Sequence, residues 1–134
     1  MRLLLDSSVC IAVMRDRPKG SRRLAESWSR SDTAVSSIVL AELEVGARLS
    51  ARPEQAREAL DRLLENLSIT PFDQAAAERY GSLRASLQAA GRLIGPLDML
   101  IAAHALSLNL PLLTGNVREF ERVPGLQVIS LDEA

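Results

Sequence analysis

Short apolar runs alternate with longer stretches of helical periodicity along this 134-residue chain. Leu3-Leu4-Leu5 predicts a short buried strand over 2–6. Ser7 and Ser8 are read as capping a helix over 9–14, which Arg17-Pro18-Lys19-Gly20 breaks. A second helix is expected over 21–31, with Leu24 and Trp28 four apart on one face. Thr33–Val35 reads as a strand, and Ser36-Ser37 as the cap of a third helix running to Leu49. Its buried stripe is read as Ile38, Ala41, Val45 and Leu49. Leu40, Leu43, Val45 and Leu49 wrap more than one face, so a partner surface and a core are both open readings. Pro53 suits a first helical position and leads into 54–64, with Ala56, Leu60, Leu63 and Leu64 facing inward.

Leu67–Thr70 is predicted as a strand that Pro71 ends. Asp73 is expected to cap a helix to Ala90, closed by Gly91. The stretch 97–108 is apolar nearly all round and reads as a buried helix, with Asn109 ending it before Pro111. Leu112–Thr114 reads as a strand, 117–121 as a helical turn and 127–131 as a last strand. Strands alternating with helices predict an α/β fold: a mostly parallel central sheet with helices on both faces. Length and the lack of a linker or repeat predict one domain over 1–134.

Composition narrows the class. Hydrophobic residues make up 47% and charged residues 25%, which matches a chain that builds its own core. Cys10 is the only cysteine, so no internal disulfide forms, which fits a reducing cytoplasm. The first apolar run is too short for a signal-peptide core, and no stretch is long enough to span a bilayer. A net charge of −1 is unlike a nucleic-acid coat protein. The positive charge is nearly all arginine, which suits bidentate phosphate contacts and equally reflects base composition.

Four acids stand where elements begin or end: Asp6 after Leu3–Leu5, Glu42 early in a helix, Asp98 after Gly95-Pro96-Leu97, and Glu119 after Leu112–Thr114. In open α/β sheets, ligand sites lie off the carboxyl ends of the strands. An acid near a core needs a partner or a cation. Together the four suggest a divalent-metal site for Mg²⁺ or Mn²⁺, hard cations that take oxygen ligands and drive in-line displacement at phosphorus. Ser8 and Thr114 are candidates for orienting a carboxylate or a water. Each acid also has a plain reading: Asp6 as a helix cap, Asp98 as a complement to the helix dipole, Glu42 and Glu119 as solvated residues. Glu44 reads as solvated, and His104 as a packed structural residue. There is no phosphate-binding glycine loop, dinucleotide fingerprint, nucleophile elbow or zinc spacing.

The blocks Leu4-Leu5-Asp6-Ser7-Ser8, Ser36 to Gly46, Ile94 to Ala105 and Leu113 to Leu126 resemble PIN-domain ribonucleases. They are most similar to VapC toxins of bacterial toxin–antitoxin pairs, and the similarity spans essentially the whole chain. The resemblance implies a Mg²⁺- or Mn²⁺-dependent endoribonuclease that cuts structured RNA, commonly tRNA or ribosomal RNA. It implies 5′-phosphate and 3′-hydroxyl products, growth inhibition, a homodimer and a cognate VapB-type antitoxin that blocks the site. Asp6, Glu42 and Asp98 match the core acids, and Ser8 the small hydroxyl residue after the first. Many members carry aspartate near Asn116; here that place holds an amide, and Glu119 is the next acid. Either Asn116 or Glu119 completes the set. Arg92 and Arg118 flank these blocks as candidate phosphate contacts.

Two further classes fit poorly. A phosphatase with a strand-end nucleophilic aspartate needs an acid where Ser8 stands, and a phosphoacceptor receiver needs a late lysine, whereas the only lysine is Lys19. A PIN fold that binds RNA or a protein without cutting stays as the alternative, supported by the missing fourth aspartate.

Overall fold

The computed structural model describes residues 1–133. Five strands form one sheet in the order β3-β2-β1-β4-β5, with β1 at Leu3–Leu5, β2 at Thr33–Ser36, β3 at Ser68–Thr70, β4 at Leu112–Thr114 and β5 at Val128–Ser130. Every pairing is parallel; Leu4 stands opposite Ala34 on one side and Leu112 on the other. Leu4 and Leu5 point to opposite faces, and both are fully buried. Helices therefore cover both faces, as expected of a parallel sheet.

The helices are α1 (Ser7–Arg15), α2 (Ser21–Leu24), α3 (Ser37–Leu49), α4 (Pro53–Leu64), α5 (Gln74–Ala89), α6 (Pro96–Leu108) and α7 (Val117–Phe120). The chain steps outward from β1 to β2 and β3, then returns through α5 and α6 to place β4 on the other side of β1. That reversal opens a crevice at the carboxyl ends of β1 and β4, where ligands of such sheets bind. Among the described residues no helix is long and apolar enough to cross a membrane.

Four local expectations need correction. Asp6, rather than Ser7 or Ser8, caps α1, its carboxylate accepting the Ser7 N–H at 2.8 Å. The helix expected over 21–31 ends early: α2 passes into a 3-10 turn at Ala25–Ser27, and Trp28 is extended, buried in the core rather than one helical turn beyond Leu24. The buried face of α3 is Val39, Leu43 and Ala47, not the stripe through Ala41, Val45 and Leu49. Apolar residues surround that helix, so periodicity alone could not say which stripe met the sheet; Val45 and Leu49 are 56% and 80% exposed. Glu44 is not simply solvated: it takes both terminal guanidinium nitrogens of Arg57 on α4, and Arg48 as well, tying α3 to α4.

The remaining elements follow the sequence reading closely. Asp73 caps α5 by accepting the Ala76 N–H at 3.0 Å. Asn109 closes α6 in the left-handed region at φ 55°, a conformation asparagine tolerates better than most residues. Helix α6 is buried from Met99 through Leu106 apart from Leu100.

Candidate active site

The site grows from the end of β1. Asp6 is buried, and donors hold both of its oxygens. Oδ1 accepts the Ser7 N–H, and Oδ2 accepts the hydroxyls of Ser8 and Thr114, each at 2.8 Å. Thr114 ends β4, the strand beside β1, so the parallel pairing sets one carboxylate against one hydroxyl. Because both hydroxyl protons go to Asp6, the 3.4 Å approach of Ser8 Oγ to Thr114 Oγ1 is a contact without a proton of its own. Both hydroxyls also accept from the following turn. The Gly115 N–H donates to Ser8 Oγ at 3.0 Å, and the Asn116 N–H to Thr114 Oγ1 at 2.9 Å.

Glu42 lies on α3, beyond the cap that Ser36 forms at the end of β2. It is half-buried, and its Oε1 is shut off from solvent with no hydrogen-bond partner. Burial first, and then the charge of Asp6, raise its pKa above the ordinary carboxylate value. An unpartnered buried carboxylate oxygen is costly and needs a cation or a proton.

Asp98 sits in the first turn of α6, and Glu119 in α7. Their carboxyl groups share a hydrogen bond. Burial, that bond and the charges of Glu119, Asp6 and Glu42 push Asp98 up to about 8. Glu119 moves the other way, held down by its bond to Asp98, the Gly95 N–H, the Arg122 charge and the Asn116 amide. The electrostatics of the pair thus favour the protonated form of Asp98 and the ionised form of Glu119. The Gly95 N–H donates to Glu119 Oε1 at 3.0 Å, and Asn116 Nδ2 to Oε2 at 2.9 Å.

Asp98 feels the charges of Glu119, Asp6 and Glu42, and Glu42 feels that of Asp6, so the four carboxylates lie in one neighbourhood at the ends of the strands. Among the described residues no three acids, cysteines or histidines already form a ligating cluster. Even so, the donor set suits a hard divalent cation. It is all oxygen, Glu42 Oε1 is unpartnered, and a methyl group on Gly95 would sit 3.5 Å from Asp98 Oδ2 and 3.6 Å from Glu119 Oε1, marking a cradle between the two carboxylates.

Arg92 and Arg118 are exposed, and among the described residues neither forms an ion pair. Sequence reasoning missed two groups that do reach the site. Arg122 bonds the Leu93 carbonyl at 3.3 Å and lends positive charge to Glu119. The Gly95 amide is the second; the Gly-Pro pair opening α6 was its only signal. Nothing in the sequence set Arg122 apart from the other arginines.

Beside Glu42 an apolar groove of about 680 Å³ runs between α1, α3 and α4, lined by Ile11, Met14, Leu43, Ala47, Leu49 and Ala56.

The PIN domain profile matches residues 3–126. The chain is 37% identical to ribonuclease VapC2 of Rickettsia felis over 99% of this chain and 100% of that protein. It is 36% identical to the tRNA(fMet)-specific endonuclease VapC of Shigella flexneri over 95% of this chain and 96% of that one. Among solved structures it resembles DNA-bound VapBC from Salmonella typhimurium, with a TM-score of 0.90 and 34% identity over 98% of both chains. It also resembles VapBC2 from Rickettsia felis bound to a promoter DNA fragment, with a TM-score of 0.86 and 36% identity over 97% and 98% of the two chains.

Proposed function

We propose, from the premise that this chain belongs to the PIN domain family, that it is a toxin-type endoribonuclease of the VapC kind, hydrolysing phosphodiester bonds in structured cellular RNA. The observation that carries this reading is the convergence of Asp6, Glu42, Asp98 and Glu119, with Glu42 Oε1 buried and unpartnered. Relatives named as ribonucleases at more than a third identity over nearly their whole length support it. In this reading Mg²⁺ or Mn²⁺ is held by Asp6, Asp98, Glu42 and Glu119. When bound, the ion supplies an activated water and charge stabilisation at phosphorus.

The chain's own residues do the rest. Ser8 and Thr114 fix Asp6 in one orientation, so its carboxylate does not rotate as charge gathers in the crevice. Asp98, whose protonated form is favoured first by burial and then by its acidic neighbours, would have to release its proton to hold a cation, whose charge would offset both effects. Arg122, whose charge acts on Glu119, is a partner for an RNA phosphate, with exposed Arg92 and Arg118 as further candidates. Water attack at phosphorus leaves 5′-phosphate and 3′-hydroxyl ends. A tRNA or ribosomal RNA is the substrate class, read by shape and loops, and the protein works in the cytoplasm as a homodimer.

A VapB-type antitoxin is the partner, in line with the VapBC complexes that this fold resembles. The groove beside Glu42 is the surface for it. That groove is mainly apolar, flanked by exposed Ile11 and Leu49, and reaches half-buried Glu42. An apolar segment ending in a basic side chain would fill the groove and neutralise Glu42.

The test is induced expression of wild type beside Asp98→Asn in a bacterial host, with end-mapping of cellular RNA. Growth arrest and new 5′-monophosphate ends at discrete sites in wild type alone are expected. Folded, soluble wild type that produces neither would favour a PIN-fold binding module that does not cut.

A further inference from the structure

Helix α7 opens on Asn116, with Glu119 three residues later. This is the spacing of a reciprocal cap, in which the first side chain accepts the third residue's amide and the glutamate reaches back to the first residue's N–H. Neither bond is made here. Asn116 forms no side-chain cap, although asparagine is among the best capping residues. Its own N–H is already taken by Thr114 Oγ1 at 2.9 Å, so Glu119 has nothing to reach back to. The amide of Asn116 is turned sideways, and Nδ2 donates to Glu119 Oε2 at 2.9 Å. The Gly95 N–H takes the other oxygen at 3.0 Å.

The helix thus forgoes a local stabilisation and spends both partners on the crevice. A continuous path of hydrogen bonds results. Glu119 Oε2 accepts from the Asn116 side chain, the Asn116 N–H donates to Thr114, and Thr114 donates to Asp6 Oδ2. We propose that Asn116 is a positioning residue: it clamps Glu119 as the fourth carboxylate and ties that carboxylate to Asp6 through Thr114, rather than ligating the metal itself. This inference rests on the metal-dependent reading above.

Mn²⁺ binding by titration calorimetry tests it, on purified wild type, Asn116→Ala, Glu119→Gln and the double variant, with a urea unfolding curve for each in chelator. Asn116 is exposed, so Asn116→Ala is expected to unfold at the wild-type urea concentration. Asn116→Leu, of similar width but without a donor, serves equally should the alanine variant misfold. Loss of a residue that orients a ligand weakens metal binding by about 10- to 100-fold. That loss is expected for Asn116→Ala in the wild-type background and is expected to vanish in the Glu119→Gln background, because Asn116 acts only through Glu119. Wild-type affinity in Asn116→Ala, or a second full loss in the double variant, overturns the proposal while leaving the metal-dependent reading intact. Wild type that binds no Mn²⁺ overturns both.

Discussion

His104 Nδ1 lies 2.8 Å from Ser36 Oγ, and both residues are buried. Ser36 ends β2 and caps α3 by accepting the Ile38 N–H at 3.1 Å, while His104 lies on α6. One hydrogen bond therefore joins the helix that carries Glu42 to the helix that carries Asp98. The ring also packs edge-on against Phe72, with centroids 5.3 Å apart. Burial holds its pKa down, against the charge of Asp73 and the Pro71 carbonyl. Nε2 closes no well-formed bond, although the Pro71 carbonyl acts on the ring. The neutral ring with its proton on Nε2 fits this setting, leaving Nδ1 to accept from Ser36.

His104→Ala is expected to lower stability by about 3 kcal/mol, the range for truncating a buried ring. Ser36→Ala is expected to cost about 1–2 kcal/mol through the lost cap and the stranded imidazole. Urea unfolding in chelator checks both. A change under about 0.5 kcal/mol in His104→Ala would show that the contact does not brace the two helices.

The same ring sets an acid limit. A histidine with a lowered native pKa stabilises the fold above its unfolded value of 6.5, and that stability is lost as pH falls through the lower native value. Wild type should therefore lose stability below about pH 6.5 more steeply than His104→Gln. Parallel pH curves for the two proteins would refute this.

Asp98 has the opposite sign. Its native pKa of about 8 lies above the ordinary 3.8, so its protonated form favours folding. That stability is fully present below the ordinary value and is lost as pH rises through about 8. In chelator, Asp98→Asn should gain stability over wild type progressively across that interval and keep the gain above it. Mn²⁺ should reverse the order, stabilising wild type and not the variant. Unfolding curves at several pH values, with and without Mn²⁺, measure both effects. The variant should also lose RNA cleavage while folding normally.

Gly95→Ala probes the cradle directly. Its φ of −55° suits any residue, so the variant is expected to fold. The added methyl would touch Asp98 Oδ2 and Glu119 Oε1 at 3.5 and 3.6 Å. If the proposed metal sits between these carboxylates, a methyl group occupying that space is expected to reduce Mn²⁺ affinity and cleavage by about tenfold or more. Unchanged affinity by calorimetry would move the metal away from this pair.

Cys10 is fully buried, and burial followed by the Asp6 charge pushes its thiol pKa up. It should resist thiol reagents in the native protein and react only after unfolding. Rapid labelling of the native protein, followed by mass spectrometry, would contradict this packing.

Strand and helix placement was legible because it rests on short-range rules. Leu3-Leu4-Leu5 and Leu112-Leu113-Thr114 are short apolar runs of strand length, which the parallel sheet buries, and Asp73, Pro53 and Asn109 mark helix ends by their own chemistry. The acids Asp6, Glu42 and Asp98 stood out for the same reason, as charges set against apolar runs. The tertiary structure decided which faces and side chains met. Val39, Leu43 and Ala47, rather than Val45 and Leu49, reached the core of the fold, a choice between two apolar stripes of one helix. Glu119 and Asn116 offered equal claims in the sequence. Gly95 on another segment and Thr114 on β4 hold the two in place, the Gly95 N–H donating to Glu119 and the Asn116 N–H to Thr114. Such bonds form between residues distant along the chain, so no local pattern encodes them.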